Sequence, residues 1–245
     1  MVRPTHSESK AIVLVSNRYK DDSALVTLVG EKGLFSVMAK GIYRMKSPLK
    51  PLLISGSLVE IEYQKSGEVF FASSLKVLYD ASELLTSYVS SLYLMYLEEL
   101  SLSLYQFDDP FPFDEILEIV KSLKTGDILS LTLLTLGVIY RSLGIGIETR
   151  KCVRCKKTSN IVGYSFSDGG FLCHDCIREN DTRCKDTDDL YVLKYAFHPI
   201  TEEILSKKVF HDNGMRILCL LNDRLLEYFD LKSMKSFPLL LSALN

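Results

Sequence analysis

The chain has 245 residues, 47% hydrophobic and 24% charged, which excludes wholesale disorder or a fibrous repeat and leaves enough chain to bury a core without disulfides. Its formal net charge of −2 gives on average no sign of a nucleic-acid binder. The average hides a partition: residues 1–79 are net +4, 80–150 net −7, 151–185 net +3 and 186–245 net −2, and such alternation points to an anionic partner for the basic parts.

Residues 1–8 contain no apolar run, so no signal peptide is expected. The longest charge-free apolar stretch, residues 128–140, is too short to span a bilayer and predicts a buried helix. The expected compartment is the cytosol, where the six cysteines stay reduced unless they hold metal.

From Lys10 to Val77 the residues are β-branched and the segments short. Strands are predicted at 11–15, 24–29, 34–39 and 58–63, with 69–72 and 75–78 completing a fifth. Gly30-Glu31-Lys32-Gly33 turns the second into the third. Five short strands favour a small closed barrel, because closure removes exposed edges, and a five-stranded oligonucleotide-binding (OB) barrel is the first choice.

After Asp80 the period becomes helical. A long helix is expected from Ser82 to Leu104, apolar on most faces and hence central in a bundle. Asp108-Asp109-Pro110-Phe111-Pro112 breaks the chain, and helices follow at 114–124 and 128–143, the latter ended by Gly144 and Gly146. Helical periodicity resumes at 188–197, 201–206 and 214–230, and this last part is expected to pack back on the first helices. The predicted class is α+β: an OB domain (1–80) and an all-α domain (81–150 and 181–245) interrupted by a metal module (151–180).

That module carries the strongest motif. Cys152-Val153-Arg154-Cys155 precedes Cys173-His174-Asp175-Cys176 with seventeen residues between, the spacing of a zinc ribbon or finger. A hairpin turning at Asp168-Gly169-Gly170 brings the two knuckles together. Cys152, Cys155, Cys173 and Cys176 complete a tetrahedral shell with no open position, so one structural Zn²⁺ is expected and no catalysis at it. A dithiol redox pair is the alternative, but it needs neither a second C-x₂-C nor this context. His174 reads as an exposed turn residue, Cys219 as a small core residue, and Cys184 as a free thiol.

A second constellation is basic. Lys40-Gly41-Ile42-Tyr43-Arg44-Met45-Lys46-Ser47-Pro48-Leu49-Lys50 has four cations and no acid, in what the strand pattern makes an exposed, mobile loop. Lys40, Arg44, Lys46 and Lys50 suit phosphates, and Tyr43 suits an unpaired base. Arg18, Tyr19 and Lys20 end the first strand nearby. A merely solvated loop is the plain alternative. Lys151, Arg154, Lys156 and Lys157 around the first knuckle extend the same surface. No phosphate-binding loop, catalytic zinc motif or nucleophile elbow is present, so no enzyme and no small-molecule substrate are expected.

The order of these parts resembles the bacterial recombination mediator family RecO. Residues 10–50 carry the resemblance most closely, with Ala24-Leu25-Val26-Thr27-Leu28 and Gly33-Leu34 in the family's hairpin, and Leu225-Leu226-Glu227-Tyr228 with Lys232-Ser233-Met234-Lys235-Ser236 resembles its C-terminal pattern. The resemblance implies a cytoplasmic, nucleoid-associated DNA repair and recombination protein. It would bind single- and double-stranded DNA, anneal complementary strands, and help RecR load RecA onto strands coated by single-strand-binding protein (SSB), whose C-terminal tail would be a contact. It assigns DNA contact to Lys40, Arg44, Lys46 and Lys50 and metal to the four cysteines. The acidic helical domain departs from a DNA surface spreading beyond the barrel. An interaction adaptor and an RNA-binding factor are the competing readings.

Overall fold

A computed structural model describes residues 6–106, 109–184 and 186–245. Residues 1–5 and Asp108 of the predicted chain break lie outside the described residues. The strands are β1 (His6–Tyr19), β2 (Ser23–Gly30), β3 (Gly33–Ala39), β4 (Leu58–Ser66), β5 (Val69–Tyr79), β6 (Ile161–Ser165), β7 (Gly170–Cys173) and β8 (Thr182–Arg183). The helices are α1 (Tyr88–Leu104), α2 (Phe113–Ser122), α3 (Ile128–Ser142), α4 (Thr187–Ala196), α5 (Glu202–Leu205), α6 (His211–Tyr228) and α7 (Ser236–Leu244). Two compact units result, one of residues 1–124 with 234–245 and one of 125–233. Among the described residues no helix is long and apolar enough to cross a membrane.

In the first unit β1–β5 close into a barrel in the order β1-β2-β3-β5-β4, the expected OB arrangement. Alternate residues point inward, so Ala11, Val13, Val26, Leu28, Val37, Val59 and Ile61 form its core. One long strand serves two neighbours: β1 pairs with β4 from His6 to Ile12 and with β2 from Ala11 to Tyr19. A register shift between Val13 and Val15 bends it from one to the other. A parallel pairing of Met38 with Phe71 closes the barrel.

The helix expected from Ser82 begins later. Residues Ser82–Thr86 form a 3₁₀ turn, and α1 starts at Tyr88. Ser87 sets the start, because its hydroxyl accepts the Ser90 N–H at 3.3 Å. Nor is α1 buried all round: Tyr93, Tyr96, Leu97 and Leu100 are buried, whereas Tyr88, Met95 and Leu102 are exposed. The buried side receives α7, whose Phe237 ring lies 5.3 Å from that of Tyr96.

The second unit is built around α3, which contains the charge-free stretch 128–140 and is buried along nearly its whole length. The Asp127 carboxylate caps it, accepting the Ser130 N–H at 3.0 Å and its hydroxyl at 2.7 Å. The expected return of the late helices takes the form of α4 and α6 packing on α3. Tyr140 donates its hydroxyl to the Leu221 carbonyl at 2.6 Å. Gly137 is required there, since a Cβ would overlap the Ala196 carbonyl at the end of α4.

Candidate metal centre and nucleic-acid interface

The predicted hairpin forms as β6 and β7, with β8 added on the other edge of β6. Each C-x₂-C segment turns back on itself, through Lys156 N–H to Cys152 C=O at 2.8 Å and Cys176 N–H to Cys173 C=O at 3.0 Å. The four Sγ atoms of Cys152, Cys155, Cys173 and Cys176 lie within 4.8 Å of one another. A tetrahedral zinc with bonds of about 2.3 Å needs sulfurs about 3.8 Å apart, and Cys155 and Cys173 already stand at 3.5 Å. The donor set therefore fits one metal ion held by four sulfurs.

The thiols are electrically unequal. Burial works against ionisation of Cys152, but backbone N–H donors at Cys155, Cys173 and Arg154 outweigh it and lower its thiol to about 6. Cys176 is pushed up to about 12, first by its hydrogen bond to Cys155 and then by burial. A bound cation removes this conflict by favouring every thiolate. His174 is exposed and turns to Asp175, with Nδ1 3.8 Å from Oδ1, outside the four-sulfur set. Cys184 and Cys219 are free and half-buried, and burial pushes the Cys184 thiol up to about 11.

Arg154 is a correction to the basic surface read from the sequence. Its guanidinium points inward and is only 18% exposed. Nε donates to Asp168 at 2.6 Å, while Nη1 and Nη2 donate to Asp181 at 2.6 and 3.0 Å. Nη1 also donates to the Cys176 carbonyl at 2.5 Å. The residue ties the first knuckle to the hairpin turn and the second knuckle. Lys157 is paired with Asp175 at 2.9 Å, and Lys156 folds onto the Val153 carbonyl at 2.7 Å.

On the barrel, register decides which predicted residues meet. Arg18 pairs with Ala24, and Ala24 with Ala39, so Arg18, Tyr19 and Lys20 share one end of the barrel with Lys40 and the loop after it. Cations lie over aromatic rings there: Arg18 over Tyr43 at 5.2 Å, Lys20 over Tyr19 at 5.3 Å and Lys40 over Phe71 at 4.2 Å. A recess of about 400 Å³ is lined by Lys40, Arg44, Lys46, Ser47 and Ser73 among others.

Two expectations for the loop change. It is not a free excursion, because Ile42 and Leu49 are buried in the barrel core and pin it. Nor are its cations all unneutralised. Arg44 donates Nε and Nη2 to Asp22 Oδ2 at 2.9 and 2.7 Å, and that partner, aided by Ser23, holds the Asp22 carboxyl below its ordinary value. Lys50 is bent back onto the Met45 carbonyl at 2.8 Å. Lys46 alone of the loop's four cations makes no ion pair, hydrogen bond or ring contact among the described residues. Sequence reasoning predicted the strands of the β4–β5 hairpin but not its part in the rim, where Lys65 lies 5.6 Å over Phe70 and Phe71 meets Lys40. The only local signal was Val69-Phe70-Phe71 after a Gly turn.

The closed barrel order, its cationic and aromatic rim and the four-cysteine cluster define an OB-barrel protein with a helical region and a four-cysteine module that could hold a metal ion. More particularly, the chain belongs to the recombination protein O (RecO) family: the family's N-terminal domain model matches residues 5–79 and its C-terminal domain model residues 85–234. Membership gives it a DNA repair and recombination role. It is 24% identical over 195 residues to DNA repair protein RecO of Halalkalibacterium halodurans, covering 78% of this chain and 77% of that one. It is 27% identical over 185 residues to that of Bacillus subtilis (72% and 71% covered) and 26% over 183 residues to that of Caldicellulosiruptor bescii (71% and 73%).

Proposed function

We propose that this chain is a non-catalytic recombination mediator. It binds single- and double-stranded DNA at the barrel rim, anneals complementary strands, and acts with RecR to load RecA onto SSB-coated single strands, recruited by the SSB tail. Its place of work is then the cytoplasm, at the nucleoid. One observation carries the DNA part: Lys40 over Phe71, Arg18 over Tyr43 and Lys20 over Tyr19 gather at one barrel end. Cations attract the phosphate chain, and rings that already hold a cation offer faces on which unpaired bases stack.

The four cysteines would hold one Zn²⁺, whose contribution is to crosslink the two knuckles and supply folding free energy on the order of 10 kcal/mol. With all four positions taken by sulfur, no site remains for activated water.

Annealing of complementary strands precoated with SSB, in the absence of nucleotide, tests the reading. Rapid annealing is expected. DNA binding without annealing would reduce the role to recruitment, no DNA binding would reject the rim, and preference for matched RNA would move the protein to RNA handling.

A further inference from the structure

The helix α1 leaves one of its faces uncovered in the barrel-bearing unit. Tyr88, Met95 and Leu102 stand seven residues apart, so they fall on nearly one line along the helix. They are 70, 48 and 46% exposed. Beside them α7 adds Leu239, 48% exposed, and Met95, Leu102 and Leu239 line a groove of about 320 Å³ between the two helices. Apolar side chains aligned in this way on a surface otherwise rich in charge are a mark of an interaction site.

The groove contains an acid without a partner. Glu98 lines it, is half-buried, and makes no ion pair or hydrogen bond among the described residues. Its neighbour Glu99 is different, because its carboxylate is taken up by the first residues of α7. Burial, and then the charge of Glu99, hold the Glu98 carboxyl above its ordinary value. A half-buried carboxylate beside exposed Met and Leu is costly in the free protein and favourable once a cation is brought to it. The α1 side of the groove has the same sign: α1 contains no Lys or Arg, and residues 80–124 carry nine Asp/Glu against two Lys/Arg. Among the described residues the groove's one lining cation, Lys235, acts on Glu99, and no cation acts on Glu98.

We infer that the α1–α7 groove is a docking site for a basic amphipathic helix of a partner protein, its apolar side on Met95, Leu102 and Leu239 and a Lys or Arg on Glu98. An apolar strip flanked by uncompensated acid is the complement of such a helix, which anchors through residues three, four and seven apart. Two copies of this chain would set Glu98 against an equally acidic face, which costs energy. The groove shares no lining residue with the recess at the barrel rim and does not rest on the DNA-binding reading.

The test is fluorescence anisotropy with the full chain and two labelled peptides of about five helical turns. Both carry Leu on one face; one carries Lys on the other and its twin Glu. The Lys peptide is expected to bind and the Glu peptide not to bind. Leu102→Asp should weaken the Lys peptide about tenfold, the loss of one anchor, although it adds negative charge. Met95→Asp is the second variant should Leu102→Asp lower the melting temperature. Glu98→Lys should lose the Lys peptide and gain the Glu peptide. Lys-peptide binding that survives Leu102→Asp and Met95→Asp would mean general attraction to an acidic surface and overturn the proposal. Failure of the wild type to bind would overturn it as well, as would a dimer by sedimentation that Leu102→Asp breaks apart. DNA annealing by these variants should equal wild type, so a failed DNA reading leaves the result intact.

Discussion

Glu99 holds Ser236. One carboxylate on α1 accepts the Lys235 N–H at 2.7 Å and, through its other oxygen, the Ser236 N–H at 2.8 Å and hydroxyl at 2.5 Å. It satisfies donors at the start of α7 and sets a negative charge at the positive end of that helix. Burial raises the Glu99 carboxyl, but the Ser236 and Lys235 donors outweigh it and the net displacement is downward. A depressed carboxyl stabilises the fold above its unfolded value, and that contribution is lost as pH falls through the folded one. Glu99→Gln should therefore cost about 1 kcal/mol at pH 7 after allowing for solvent screening. The gap to wild type in urea unfolding should shrink towards pH 4. Glu98, displaced upward by burial and then by the charge of Glu99, acts in the opposite sense and relaxes in Glu99→Gln, so both chains are compared in a Glu98→Gln background; a gap constant with pH there would refute the role.

The metal makes a separate prediction. Elemental analysis should find one zinc per chain. Cys173→Ser should lose it and melt at least about 5 °C lower. Cys184→Ser, outside the cluster, should keep both metal and melting temperature. Equal stability with and without metal would contradict the structural role.

Arg154 is expected to matter for the module and not for DNA. Asp181 is only 6% exposed and depends on it, so Arg154→Met leaves a buried carboxylate without its cation. Chelator should strip zinc from this variant faster than from wild type, with DNA affinity unchanged. A DNA defect at undiminished metal retention would return Arg154 to the binding surface.

The ion pair of Arg44 with Asp22 gives the loop cations a ranking. Lys46→Glu should weaken DNA binding more than Arg44→Ala, because Arg44 is already neutralised. Asp22→Asn frees Arg44 and should strengthen binding, steepening the dependence on salt by about one phosphate contact. Titrations at several salt concentrations decide it, and a loss of affinity in Asp22→Asn would show the pair to be needed for loop shape.

Phe71 offers the same rim a ring surface. Phe71→Ala should cost single-stranded DNA about 1–3 kcal/mol, the value of one stacked base, and duplex DNA little, since paired bases present no free face. Equal losses on both would make Phe71 a support for Lys40.

How far these features could be read in advance follows from their range along the chain. The barrel strands were legible because Val13, Val26, Val37 and Val59 lie in β-branched runs bounded by turns. The cysteine cluster was legible because its spacing encodes two knuckles. The partners of Arg44 and Arg154 lie 22 and 27 residues away, where only the fold decides that a cation near a motif is already occupied. Phe71 escaped notice because a parallel pairing with Met38 has no local signature. The last helix, α7, was not predicted, since nine residues containing Pro238 carry too little periodicity to declare themselves. It forms because Tyr96 and Glu99 await it.

The barrel-bearing unit is interrupted: residues 125–233 intervene before the chain returns with α7. At ordinary ribosomal speeds that interval, 109 residues, lasts about 5–20 s. For that time a nascent chain would have its barrel strands and α1 made while the Tyr96 side of α1 stood bare, an apolar surface open to chaperones or to a neighbouring nascent chain. Completion of the N-terminal unit is thereby tied to translation of the second unit, and a ribosome that stalls within it leaves the first unfinished.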